Sequence, residues 1–201
     1  YTCAVKAFVE MVKQFGMDEY EFAVHETKTY EVIEDVRTFR SEIGILYLNE
    51  FNRKVLTKLF AEYNLEFHEI LRCGVYVYMW KGHPLANKKE IDMEELAEYP
   101  CLSFEQGSYN SFYFAEEIFS PSERKKNIRV CDRATLFNLL IGLNGYTVCS
   151  GVIDENLNGK DIIAVPLADE SEMRIGYITH KKGRRSSIGV AYLECLKKYL
   201  E

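Results

Sequence analysis

The sequence predicts an α/β fold, in which strands alternate with helices along the 201 residues. Short continuous apolar runs such as IGILYL (residues 43–48) are typical of buried parallel strands. Between such runs, apolar residues recur at the spacing of one helix face. Hydrophobic residues make up 47% of the chain, which is enough for a sizeable core in one or two domains.

The first half of the chain predicts three helices and four strands. Apolar spacing indicates helices over residues 4–15, 30–39 and 55–60, and Gly16 is expected to end the first helix. Strands are predicted at YEFAVHE (residues 20–26), IGILYL (43–48), LEFHEIL (65–71) and GVYVYMW (74–80). Because a parallel sheet requires a strand before the first helix, we expect the natural chain to continue upstream.

The second half repeats the alternation. Strands are predicted at CLSFE (residues 101–105), NIRVCD (127–132), YTVCSGVI (146–153), DIIAVPL (161–167) and MRIGYITH (173–180). Helices are predicted over residues 112–119, stopped by Pro121, over 134–143, ended by Asn144-Gly145, and over 188–199.

Charge and composition exclude several function classes. A net charge of −6 and a pI of about 5.4 argue against nucleic-acid binding by this segment. The basic stretch HKKGRRSS (residues 180–187) is interpreted as a solvated turn, with contact to DNA phosphates as the alternative. The sequence has neither a membrane-spanning apolar run nor a secretory signal at its start.

The six cysteines favour a reducing, cytoplasmic setting. They stand at positions 3, 73, 101, 131, 149 and 195, and none forms a C-x-x-C pair. Buried free thiols are the favoured interpretation, and a disulfide network or a redox switch is the alternative.

No catalytic or metal-binding constellation is evident. The four histidines lack metal-ligand spacing, and neither G-x-S-x-G nor a glycine-rich phosphate loop occurs. The sequence therefore predicts no enzyme, no metal site and no cofactor.

The stretch from Met79 to Pro100 carries the most specific signal. It contains GHPLA, followed by the short helix pattern EIDMEELAEYP, in which Asp92 can cap the helix and Glu95 can reach back. This arrangement closely resembles the middle of the effector-binding domain of LysR-type transcriptional regulators. The resemblance extends to FVEMVKQFG, LAEYPCLSFEQGS, NLLIGLNGYTVCSGVI and IGYITHKKGRRSSIGVAYLECLKKYL. It departs from the family at Glu42, where an Asp is frequent, and at residues 148–152, where a proline is frequent.

The resemblance implies two Rossmann-like subdomains joined by a hinge, a type 2 periplasmic-binding-protein-like fold. Residues 1–75 plus 174–201 would form subdomain I, and residues 76–173 subdomain II, with hinge strands near 76–80 and 173–178. The family's first strand and its N-terminal winged helix-turn-helix are absent from this sequence. The implied function is a ligand-sensing regulatory domain that binds a small effector and forms a homodimer or tetramer. DNA would be bound only through the missing N-terminal domain. A solute-binding protein and an enzyme on the same fold remain the alternatives.

Physical chemistry then places the ligand. Ligands of open α/β sheets sit at the carboxyl ends of strands, where helix N-termini favour anions. Thr2 and Gln106 belong to segments that correspond to the family's ligand contacts. Thr29, Ser108 and Thr135 stand where helix caps belong, and Arg133 is expected either to pair a ligand carboxylate or to form a surface salt bridge. Cys3, if it lies at a helix N-terminus, is a candidate for a lowered thiol pKa. The full candidate set is Thr2, Cys3, Thr27, Thr29, Asn49, Glu105, Gln106, Ser108, Arg133 and Thr135.

The resemblance also implies a dimer interface. Val55, Leu56, Leu59 and Phe60 form an apolar stripe, which we expect to pack against the partner's helix over residues 112–119. In the alternative, both stripes cover their own sheets.

Overall fold

The computed structural model describes residues 2–15, 19–109, 112–119 and 124–200. The predicted helix stops at Gly16 and Pro121 lie outside these ranges. The helices are α1 (Thr2–Phe15), α2 (Thr29–Arg37), α3 (Arg53–Glu62), α4 (Arg133–Gly142), α5 (Glu155–Asn158) and α6 (Ser187–Leu200). The strands are β1 (Gly44–Leu48), β2 (Leu65–Cys73), β3 (Tyr76–Trp80), β4 (Cys101–Phe104), β5 (Asn127–Val130), β6 (Thr147–Cys149), β7 (Ile162–Pro166) and β8 (Met173–His180).

The first sheet has the strand order β1-β8-β2, and both outer strands run antiparallel to β8. The expectation that residues 43–48 form a parallel strand is therefore wrong, since β8 returns to this sheet in the opposite direction. Helices α2 and α3 cover the sheet with buried apolar side chains such as Val36, Leu56 and Phe60. Helices α1 and α6 pack together elsewhere on the same sheet through Ala7, Met11 and Leu196.

The second half of the structure contains two smaller sheets. One has the order β6-β3-β7 with antiparallel pairs, and the other joins β4 and β5 in parallel. An isolated bridge between Cys101 and Tyr146 connects them. The chain crosses from the first sheet to this half between β2 and β3 and returns between β7 and β8, so the two halves are joined by two short connections.

The GHPLA segment forms the turn that the sequence predicts. The imidazole Nδ1 of His83 accepts a hydrogen bond from the Leu85 amide at 3.1 Å. Its Nε2 lies 3.1 Å from the carbonyl oxygen of Asn144, the residue with positive φ that ends α4. The Trp80 indole donates to the Asn144 side chain at 2.6 Å. The turn and the helix end therefore hold each other in place.

The predicted short helix after this turn is present as a 3₁₀ turn over Met93–Leu96. The Asp92 amide donates to Glu95 Oε2 at 3.1 Å, so Glu95 reaches back as expected.

Two predicted elements are wrong. Residues 20–26 form no strand, although their apolar pattern alternates. A strand needs a neighbour to satisfy its amides and carbonyls, and none of the described strands pairs with this segment. The predicted helix over residues 112–119 is reduced to a 3₁₀ turn at Phe112–Phe114, followed by bends. Here Tyr47 donates a hydrogen bond to the Ala115 carbonyl at 3.1 Å, and Ile118 and Glu117 are buried, so tertiary contacts replace helical ones.

Candidate functional site

A cavity of about 70 Å³ lies where the two halves of the structure meet. Thr2 from α1 lines one side, and residues of α4, β6 and the segment after β4 line the other. Its polar lining comprises Thr2, Tyr78, Glu116, Glu117, Arg133, Thr147 and Ser150. We call it the cleft cavity.

The start of α1 is tied directly to the opposite half. The Thr2 hydroxyl donates to Asn158 Oδ1 at 3.0 Å, and Lys6 forms an ion pair with Asp154. The Lys6 ammonium holds the pKa of the Asp154 carboxyl below its usual range. Asp154 also accepts hydrogen bonds from the amides of Asn156 and Leu157. The N-terminus of α1 is therefore anchored at the edge of the cleft cavity.

The start of α2 makes a second set of contacts across the two halves. Gln106 is only 3% exposed, and its side-chain oxygen accepts from the Thr29 amide at 3.1 Å. Lys28 lies 3.6 Å from Glu105 Oε1, and Tyr30 stacks on Tyr109 with ring centroids 3.5 Å apart. Gln106 was chosen from the sequence as a ligand contact. Its side-chain oxygen instead accepts the hydrogen bond of an amide that a bound anion would use.

The helix caps differ from those predicted. Lys28 stands at the N-cap position of α2, so Thr29 is the first helical residue. Asp132 caps α4 and accepts hydrogen bonds from both the amide and the hydroxyl of Thr135, each at 2.8 Å. These bonds lower the pKa of the Asp132 carboxyl. Ser108 is exposed within a 3₁₀ turn at Gly107–Tyr109. The cap of α2 is therefore one residue, and the cap of α4 three residues, before the hydroxyl residue that the sequence suggested.

Arg133 occupies the point where the halves approach each other. Its guanidinium lies 2.6 Å from Glu26 Oε1, with a second hydrogen bond from Nε at 3.0 Å. Arg133 therefore forms the partly exposed salt bridge of one interpretation, and the same residue lines the cleft cavity.

Three of the predicted residues lie elsewhere. Asn49 exchanges hydrogen bonds with Asn52, each from backbone amide to side-chain oxygen at 2.8 Å, and lines a separate cavity near Arg174. The Thr27 hydroxyl contacts the Glu31 carboxylate. Cys3 is fully buried, and burial raises the pKa of its thiol, so the expected lowering is wrong because desolvation outweighs the helix N-terminus.

Glu116 and Glu117 are cavity residues that the sequence reasoning missed. Glu117 Oε1 accepts a hydrogen bond from the Phe104 amide at 2.9 Å, and Glu116 accepts one from the Gln106 side chain at 3.3 Å. Burial, with the neighbouring Glu116 carboxyl, raises the pKa of Glu117 to about 8. The available signal was a pair of glutamates inside the aromatic run FYFAEEIF.

The wall built by β6 and its continuation supplies buried hydroxyls. Thr147 and Ser150 are both buried beside the cavity. Tyr78 donates its hydroxyl to the Val152 carbonyl at 2.7 Å. This polar wall stands at the segment that departs from the family pattern.

A second, larger cavity of about 450 Å³ lies beside β1. Residues 21–27, residues 40–46 and the faces of α1 and α2 line it, and we call it the β1 groove. Glu116 and Arg133 line both cavities.

Other site types find no support among the described residues. They contain no cluster of His, Cys, Asp and Glu side chains suited to a metal ion. None of the described helices is long and apolar enough to cross a membrane. All six cysteines have free thiols.

Comparison with known proteins identifies the family. The model of the LysR substrate binding domain matches residues 17–201. The chain belongs to this family. A comparison with curated protein sequences finds no significant match.

Solved structures of LysR-type regulators share the fold. HinK, a LysR family transcriptional regulator from Pseudomonas aeruginosa, superposes with a TM-score of 0.66 at 12% identity, over 99% of this chain and 67% of its own. The effector binding domain of QuiR in complex with shikimate gives a TM-score of 0.66 at 20% identity, over 99% of this chain and 92% of its own. The reduced OxyR regulatory domain from Pseudomonas aeruginosa gives 0.63 at 16% identity, over 98% of this chain and 94% of its own. The LysR substrate-binding domain described here therefore has the α/β, periplasmic-binding-protein-like fold that the sequence predicted.

Proposed function

We propose that this LysR substrate-binding domain senses a small anionic effector in the cleft cavity and controls transcription in the cytoplasm. Its role is regulatory and not enzymatic. DNA would be contacted only by the winged helix-turn-helix domain typical of LysR-type regulators. The observation that carries this proposal is the cleft cavity itself, which is lined by polar groups from both halves of the chain and includes the Arg133 guanidinium.

The subdomain division supports a sensing mechanism. We propose residues 1–75 plus 174–201 as subdomain I and residues 76–173 as subdomain II. The two short connections between β2 and β3 and between β7 and β8 then act as the hinge. A ligand that bridges the two halves stabilises one of their relative arrangements, and this difference in affinity is what shifts the equilibrium.

The anionic character of the effector is supported by Arg133 and by one related structure. A guanidinium binds a carboxylate through two parallel hydrogen bonds. QuiR, which shares the fold, is bound to shikimate, a carboxylate. Of the candidate residues, Thr2 and Arg133 line the cleft cavity, whereas Gln106, Thr29 and Glu105 make contacts between the halves.

The experiment is an NMR titration of the domain with shikimate and a panel of other small carboxylates. We expect amide shifts around Thr2, Thr147 and Arg133. Arg133→Gln is expected to weaken binding about tenfold or more, whereas Arg129→Gln, an exposed arginine on β5, serves as the matched control and leaves binding unchanged. Shifts confined to residues outside the cleft would contradict the proposal.

We further propose that the domain assembles as a homodimer or tetramer through α3 and the partner's segment 112–119. Phe60 is 3% exposed and packs, with Leu56, on the sheet of its own chain. For these two residues, this favours the alternative that the stripe covers its own sheet. Val55 and Leu59 are half-buried and remain available to a partner. Light scattering of Leu59→Asp should show a monomer, with Lys58→Asp on the exposed face as control. If Leu59→Asp leaves a dimer intact, the interface lies elsewhere.

A further inference from the structure

One side chain of the cleft cavity has an incomplete set of hydrogen bonds. Glu117 is 4% exposed and lines the cavity. Its Oε1 accepts from the Phe104 amide at 2.9 Å, whereas its buried Oε2 has no hydrogen-bond partner among the described residues. Because a buried polar atom without a partner is costly, a ligand that supplies the partner gains binding free energy at this position.

The groups that face Glu117 leave it without a counter-charge. Tyr47 approaches from β1, Cys101 from β4 and Glu116 from its own segment. Burial raises the pKa of Tyr47 well above its usual value and that of Cys101 to about 11, so both stay neutral. Burial raises the pKa of Glu116 as well, and the hydrogen bond from Gln106 and the Arg133 guanidinium offset this only in part. No cationic side chain among the described residues pairs with Glu117.

The protonation state of Glu117 follows from this environment. Desolvation disfavours the charged form, and the adjacent Glu116 carboxyl adds repulsion. With a pKa of about 8, the side chain is mainly a neutral carboxylic acid at pH 7. A neutral carboxylic acid donates one hydrogen bond, and Oε2 is the oxygen free to do so because Oε1 is already an acceptor.

We propose that Glu117 binds the effector as a neutral carboxylic acid and donates a hydrogen bond from Oε2 to an oxygen of a small carboxylate. The inference rests on the proposed function and names the residue that makes the cavity compatible with an anion despite its two glutamates. An ionised Glu117 would repel the same ligand. Binding above neutral pH therefore takes up a fraction of a proton that approaches one well above pH 8, and sensing becomes linked to pH.

The test is calorimetric titration of shikimate into the domain between pH 6 and 9, in buffers with different ionisation enthalpies. We expect affinity to be nearly constant up to pH 7 and about tenfold weaker at pH 9, with proton uptake near pH 8. Glu117→Gln retains a donor and should bind at pH 7 within a few-fold of the wild type, but without the fall at high pH. Glu116→Gln is the matched control and should keep that fall.

A second measurement needs no effector. The carboxyl resonance of Glu117, assigned by its loss in Glu117→Gln, should titrate well above the normal range for glutamate. If the Glu117 carboxyl titrates in the normal range for glutamate, the inference is wrong whatever ligand is used. Carboxylate binding that does not change with pH, or that strengthens as pH rises, overturns the role of Glu117 and leaves the proposed effector class standing. Failure of every carboxylate to shift the cleft resonances overturns the proposed effector class, and the inference with it.

Discussion

The cleft cavity and the β1 groove meet at Glu116 and Arg133 but differ in size and in origin. The groove encloses about 450 Å³ and the cleft cavity about 70 Å³. The groove lies beside β1, an edge strand whose only neighbour in the described sheet is β8. The cleft cavity, in contrast, is surrounded by buried polar side chains from several elements, including Thr147, Ser150 and Glu117.

This difference shows that the two cavities suit different kinds of occupant. An open strand edge presents unused backbone hydrogen-bonding groups, which suit another strand. A cavity with few, well-placed polar groups suits a small molecule. Arg133 lines both cavities. Variants that change residues of only one cavity therefore test how the two cavities differ.

The largest expected effect concerns Glu117 and the stability of the cleft. Because its pKa rises from 4.5 to about 8 on folding, its stabilising contribution is complete below pH 4.5 and is lost as pH rises to 8. Relative to Glu117→Gln, the wild type should lose about 1.4 kcal/mol of unfolding free energy per pH unit in that window. Urea denaturation of both proteins at pH 5, 6.5 and 8 measures this. If the unfolding free energies of the two proteins changed equally with pH, Glu117 would be ionised in the folded state.

A second prediction addresses the β1 groove. An N-terminal extension of about six residues, rich in Val and Ile, should enter the groove and pair with the free edge of β1. Burial of two or three apolar side chains should raise the unfolding free energy by about 2 kcal/mol or more. Slower amide exchange in β1 is the specific readout. A Gly/Ser extension of equal length is the control, and an equal gain from it would mean that the groove does not take a strand.

The third prediction concerns the cap that positions Arg133. Asp132→Ala removes the hydrogen bonds to Thr135 at the start of α4 and should cost about 1 kcal/mol. Thermal unfolding measures the loss. Asp161→Ala removes an exposed pair with Lys81 and should cost much less, so similar losses for both variants would argue against a capping role.

The smallest expected effect concerns Glu26, which lines the groove and pairs with Arg133. Glu26→Gln breaks a partly exposed ion pair and should change stability by less than about 0.5 kcal/mol. It also frees the guanidinium, so shikimate affinity should rise a few-fold. A fall in affinity would assign Glu26 itself, and with it the groove side, to ligand binding.

The predictions that agree with the structure are those that depend on residues near in sequence. Helix α4 was predicted from apolar spacing, with its end at Asn144, and the positive φ of that residue accounts for the stop. The hydrogen bond from the Leu85 amide to His83 in the GHPLA turn and the return contact of Glu95 to Asp92 also join residues that are near in sequence. Residues 20–26 failed because a strand depends on a distant neighbour, and Val24 is 57% exposed without one.

The candidate site was less predictable than the fold. Reasoning from helix N-termini selected Thr2 and Arg133, and both line the cleft cavity. The pattern did not show that Gln106 is held by the Thr29 amide, or that Asn49 pairs with Asn52. These contacts depend on how distant segments approach each other.

By itself, the sequence predicted the order of most strands and helices, because apolar periodicity and turn residues act over a few neighbouring positions. The family was indicated by the resemblance of its motifs. Only the tertiary structure decided that Glu117 is buried beside Glu116 with one carboxyl oxygen unpaired. Desolvation is a property of the whole surrounding volume. A pair of glutamates in a sequence therefore predicts surface charges, because the sequence alone does not show that the fold buries them.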